Sequence, residues 1–225
     1  MVRWSRASQA VAAGVLVLSA ACQPAGDGTE TSKVNGDVTV AAGEHLGDVS
    51  TVNGSIHIRE NAAVTTAHTV NGSISLEPHA SAAELKTVNG GIRLEQGARV
   101  SGDVQTVNGE LSLANGAAVG GQLGNLNGTI RVAAAHVGGG IETVSGSMEL
   151  GPDAQVDGGI RVHKNNSLLS WDGGSVPRIV VGPGSRIGGT LNFERQVSLY
   201  VSDKATIGPL QGATAVKYSG DRPPD

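Results

Sequence analysis

With 225 residues and a mixed-sign net charge of −4, the chain is long enough for one ordinary domain or one elongated array. Aromatics at 2% cannot supply the core of an ordinary compact globule, and the 34 glycines do not follow the every-third-residue period of collagen. Regularly recurring Val, Ile and Leu argue against disorder, and without a Lys/Arg cluster beyond the first six residues a basic nucleic-acid patch is excluded.

The chain opens with Arg3 and Arg6, an apolar stretch from Ala10 to Leu18, and "LSAAC" ending at Cys22, the only cysteine. This order reads as a secretory signal over 1–21. The segment resembles the lipobox of bacterial lipoproteins, in which the cysteine is diacylated and becomes the new N-terminus. Ser19 departs from the usual Leu, and Leu18 lies one place early. Gln23, rather than Asp, after the cysteine implies the outer membrane by resemblance to Gram-negative sorting. Two acyl chains suffice for stable attachment. No other apolar run approaches the ~20 residues of a spanning helix. The polar stretch that follows, with 22–32 as its limits, reads as a flexible tether.

From Lys33 the chain repeats itself. The Val of each Val-Asn-Gly falls at 34, 52, 70, 88 and 107, with Leu126 and Val144 as variants, in steps of 18, 18, 18, 19, 19 and 18 residues. Within that period aliphatics recur every six residues, as at Val34, Val40, Leu46, Val52, Ile58 and Val64. A hexad is neither the 3.6 of a helix nor the plain 2 of a long strand. It predicts an all-β fold: a single-stranded triangular parallel β-helix, or β-solenoid, with 18–19-residue coils over 33–161. In "VNGSIHI", Val52, Ile56 and Ile58 are expected to point inward, and Ser55 and His57 outward.

Segments such as "ARVSGDV" and "AQVDGGI" mark a further corner, where the glycines are expected at positive φ. Asn-Gly often signals a hairpin, but an 18-residue repeat demands a corner, with Asn tolerating the left-handed region. Stacked corners should align Asn35, Asn53, Asn71, Asn89, Asn108 and Asn127 into a hydrogen-bonded ladder that stops at Ser145. The sequons at Asn53, Asn71, Asn127 and Asn165 read as by-products of that corner. One coil orders ~18 residues at 1–2 kcal/mol each, more than about five inward aliphatics return; only stacking closes the gap. About ten coils at ~4.8 Å make a rod of ~45–50 Å.

Past Arg161 the register breaks in "VHKNNSLLSWDGGSVPR", and 162–215 reads as irregular coils and a cap, with 216–225 a tail. Trp171 and Tyr200 are the candidate partner surface there. The six histidines are scattered, His57 being set to neighbour Ser75 and Arg93, so no metal site or other cofactor is expected. No Gly-x-Ser-x-Gly elbow exists, and no long loop precedes Val162 to build a cleft, so no catalytic residues are assigned.

The Val-Asn-Gly coils resemble bacterial adhesin-type β-solenoid families of unassigned function, and "ARVSGDV" and "AQVDGGI" are similar to bactofilins, the polymer-forming cytoskeletal proteins. The resemblance covers about Lys33 to Gly212 and implies a right-handed coil. Export through a signal peptide departs from bactofilins, which are cytosolic or held at the inner membrane. "LGDVST" and "VGPGSR" are also similar to left-handed hexapeptide acyltransferases, but 19-residue steps suit that helix poorly. The expected function is a non-enzymatic envelope lipoprotein: an adhesin-like or self-assembling scaffold bound to the membrane by its lipid, with envelope protein or polysaccharide as further partners. The alternative is a carbohydrate-binding, or acyl- or carbohydrate-processing, solenoid with a site near His163 and Trp171.

Overall fold

The computed structural model describes residues 29–164, 176–220 and 222–224. The segment 1–21 expected to be a signal, Cys22 and Trp171 therefore lie outside the described residues. Those described form 26 short strands and no helix. All pair in parallel, each with its counterpart one coil on, so every coil contributes one strand to each face of a three-sided prism. The second face is a ten-stranded sheet running from Val38–Val40 to Ala215–Tyr218, which counts ten coils. The first and third faces join into a 16-stranded sheet, because His45–Asn53, Ala63–Asn71 and Ser81–Asn89 run unbroken around the corner between them. From Arg99–Val100 onward that corner splits into two strands around Ser101-Gly102-Asp103, where the extra residue of the first 19-residue step enters.

The core is a set of aliphatic columns. Ile56, Ile74, Ile92, Leu111 and Ile130 form one on the second face, and Ile58, Leu76, Leu94, Leu113 and Val132 another. Val64, Ala82, Val100, Val119 and Val137 line the third face. The hexad pattern holds on these two faces. It fails on the first.

There Val34, Val52 and Leu126 are 67%, 41% and 44% exposed, and Val70, Val88, Val107 and Val144 are half-buried. From the second coil on, the residue turned inward is the one before: Thr51, Thr69, Thr87, Thr106, Asn125 and Thr143. Strand alternation from Val49 through Ser50 places Thr51 inside and Val52 outside, and the corner then resets the count before Ile56. A hydroxyl is tolerable in the core because it has an acceptor. Thr51, Thr69, Thr87 and Thr106 donate through Oγ1 to the carbonyls of Gly36, Gly54, Gly72 and Gly90 on the preceding corner, at 3.1, 2.9, 3.0 and 2.9 Å. Valine in its place would leave those carbonyls bare, at a cost of about 1–3 kcal/mol each.

The corner glycines also have a different reason from the one expected. No Asn of a Val-Asn-Gly corner, and no glycine of "SGD", "GGQ" or "DGG", adopts positive φ. Gly36, Gly90 and Gly128 of the Asn-Gly corners do take positive φ, at 99°, 156° and 134°, but what the corner glycines share is room. A Cβ on Gly54, Gly72, Gly90, Gly109 or Gly128 would collide with the carbonyl of the glycine one coil back, and Gly121, Gly139 and Gly158 are hemmed in the same way. The left-handed column lies at the corner between the second and third faces. Gly43, Asn61, His79, Gly97, Gly116, Ala134, Asp153 and Gly184 take φ between 39° and 75°. His79 is thus a turn residue, and its exposed ring follows from that position.

Both ends of the prism reach further than expected. Thr31 already pairs with Val49, inside the presumed tether, and Ala215–Tyr218, which pairs with Ser198–Ser202, extends into the presumed tail. Tyr218 is buried, its hydroxyl donating to the Val181 carbonyl at 3.2 Å, and burial first and Asp203 second push its pKa upward. The register break after Val162 is an insertion at one corner: Arg178–Val181 rejoins the second face on Ser147–Leu150, and Leu191–Phe193 rejoins the first on Ile160–Val162.

Asn125 is the weak point of the threonine column. Its Nδ2 donates to the Gly109 carbonyl at 2.7 Å, but its buried Oδ1 has no partner. Asn125→Thr is expected to raise the urea midpoint by an amount worth about 1 kcal/mol; a lower midpoint would contradict the column's logic.

Candidate functional site

The first face carries three outward columns side by side. The asparagine amides bond in an unbroken series, with Nδ2 of Asn53, Asn71, Asn89, Asn108 and Asn127 donating to Oδ1 of the Asn one coil back at 3.0, 2.9, 2.9, 3.1 and 3.0 Å. At the end of the series Arg195 Nη1 donates to Ser145 Oγ at 3.3 Å and to the Val144 carbonyl at 3.2 Å. Beside the amides runs the aliphatic column from Val34 to Val144. Beyond it lies a mixed column, in register as Ser50, His68, Lys86, Gln105, Gly124, Glu142 and Arg161.

Between the aliphatic and mixed columns lies an open groove of about 410 Å³, running from His68 to His163 and lined by Val88, Val107, Leu126 and Val144. Its wall dips at Gly124. Unlike the corner glycines, this one is not required by stacking, since an added Cβ would make only an ordinary contact with the Gln105 side chain.

The far end of the groove is polar. His163 occupies the aliphatic column one coil beyond Val144, with Nε2 3.1 Å from Glu142 and Nδ1 3.6 Å from Glu194. Arg161 is 3.6 Å from Glu142, and the Lys164 amide donates to Glu194 at 3.2 Å. Spacing alone does not align Glu194 with His163, because Glu194 lies beyond the insertion. Carrying the 19-residue register one coil past Val144 would have found Glu142. Among the described residues no group of three or more His, Cys, Asp or Glu is placed to hold a metal ion.

The other positions singled out in the sequence fall elsewhere. Tyr200 lies on the second face with the Arg178 guanidinium 4.5 Å over its ring, so its own chain already covers it in part. His57 bonds Ser75 at 2.9 Å, and Ser75 pairs in turn with Arg93. Comparison with family models, curated proteins and solved structures finds no match to this chain.

The amide series is exposed, so its bonds compete with water and each contributes modestly. Asn71 makes two of them. Asn71→Ala is expected to lower stability by about 1 kcal/mol in thermal or urea denaturation; an unchanged midpoint would mean the series holds nothing together.

Proposed function

We propose that this chain is a cell-envelope lipoprotein, anchored through diacylated Cys22, whose rod serves as a non-enzymatic structural or adhesin-like scaffold. The outer membrane is the membrane that Gln23 favours. The observation that carries the scaffold reading is the outward aliphatic column. Seven coils in succession set Val or Leu on the surface at one place, from Val34 to Val144. A soluble monomer rarely exposes a contiguous apolar strip without a use for it. A strip repeated once per coil suits contact along a length, whereas a small-molecule site is concave and encloses its ligand. The amide series beside it holds the strip in register.

A second reading, a carbohydrate-binding or carbohydrate-processing solenoid, draws on one feature: His163 between Glu142 and Glu194 at the polar end of the groove. Two carboxylates about one imidazole could hold a sugar hydroxyl or pass a proton.

The anchor is tested directly. Wild-type chain is expected in the membrane fraction and Cys22→Ala in the soluble fraction; equal partitioning of the two would overturn the lipoprotein reading.

A further inference from the structure

We infer that the first face pairs with the same face of a second copy, the two rods running antiparallel about a twofold axis that lies along the strand direction between the coils of Val107 and Leu126. The inference deepens the scaffold reading by naming the partner.

The register decides the geometry. An axis along the strands keeps each column opposite its own counterpart and reverses only the order of coils. Val107 then faces the partner's Leu126, and Val88 the partner's Val144, so half-buried or exposed aliphatics meet aliphatics. In the mixed column Lys86 faces the partner's Glu142, and Gln105 faces the partner's Gly124. The first is an opposite-charge pair made twice by symmetry, adding to the contact Lys86 has with Glu84 and those Glu142 has with Arg161 and His163. The second sets an exposed side chain over the hollow that Gly124 leaves, a hollow that the fold does not need. The next coil out sets His68 against the partner's Arg161 and Val70 against the partner's His163 and adds no attraction, so the match is made by the four central coils.

The parallel alternative fails on the same columns. An axis along the rod sets Lys86 and Glu142 against their own like charges, or against the partner's valines, where a charge is desolvated without a counterion. The axis lies between the fifth and sixth of ten coils, so all ten overlap, and at ~4.8 Å each, across three outward columns, they bury on the order of 1,000 Å² in total. That is the low end for specific interfaces and fits association at micromolar concentration and above.

On the anchored reading, Cys22 lies at the N-terminal end of each rod. Antiparallel pairing puts the two anchors at opposite ends, so a pair joins two membrane surfaces and not two neighbours in one.

The test is cross-linking of the full chain in mild detergent. Facing sheets pack about 10 Å apart, a span that a short bis-maleimide covers. Lys86→Cys mixed with Glu142→Cys is expected to give an 86–142 dimer, identified by mass spectrometry, while neither variant cross-links alone through its new cysteine. Gln105→Cys mixed with Gly124→Cys repeats the test without removing an ion pair. Self-cross-linking at 86 or at 142 would mean parallel pairing and overturn the inference. So would the absence of a dimer from both mixtures. Membrane partitioning of Cys22→Ala reports on the anchor and cross-linking in detergent on the pairing, so either can fail without the other.

Discussion

The first five coils of this prism are held each to the next by a contact at one corner, where a glycine carbonyl meets a threonine hydroxyl from the following coil. Thr69 reaches the carbonyl of Gly54, Thr87 that of Gly72, and the glycines sit so close that no Cβ fits between them. Two demands are met together. The inward hydroxyl is satisfied, and so is a carbonyl that the corner turns away from the strand ladder. Because a coil cannot offset its ordering entropy alone, stability resides in such inter-coil contacts.

That corner also determines the surface. With threonine inside, alternation turns the next residue outward, so a column of valines lies exposed beside the asparagine amides. Had valine filled the inner position, the first face would be polar and the prism would have no apolar strip to offer a partner. The groove, the hollow at Gly124 and the opposed charges of Lys86 and Glu142 all lie on this one face. The scaffold reading therefore rests on the parity of two adjacent residues.

Much of this was legible in the sequence. The 18-residue period, the hexads of the second and third faces and the alignment of Asn35 through Asn127 follow from counting, since stacked coils repeat what their neighbours require. Parity on the first face was not legible, because a corner breaks the two-residue alternation that counting relies on. Val52 looked buried only by its six-residue spacing from Ile58. The glycines of "SGD", "GGQ" and "DGG" were legible as special but not for the right reason: crowding between coils leaves the same letter as positive φ, and Asn61 and His79 hold the left-handed conformation with no glycine to mark it. The meeting of His163 with Glu194 was hidden by the insertion after Val162, which removes the count that would have aligned them.

The central claim is that threonine faces in and valine faces out along the first face, and thiol accessibility reads it residue by residue. In the native chain diluted below the micromolar range, where the rods are unpaired, Val88→Cys is expected to react rapidly with a maleimide, and Thr87→Cys to react only when the protein is unfolded. Protection at 88 with rapid reaction at 87 would contradict the account.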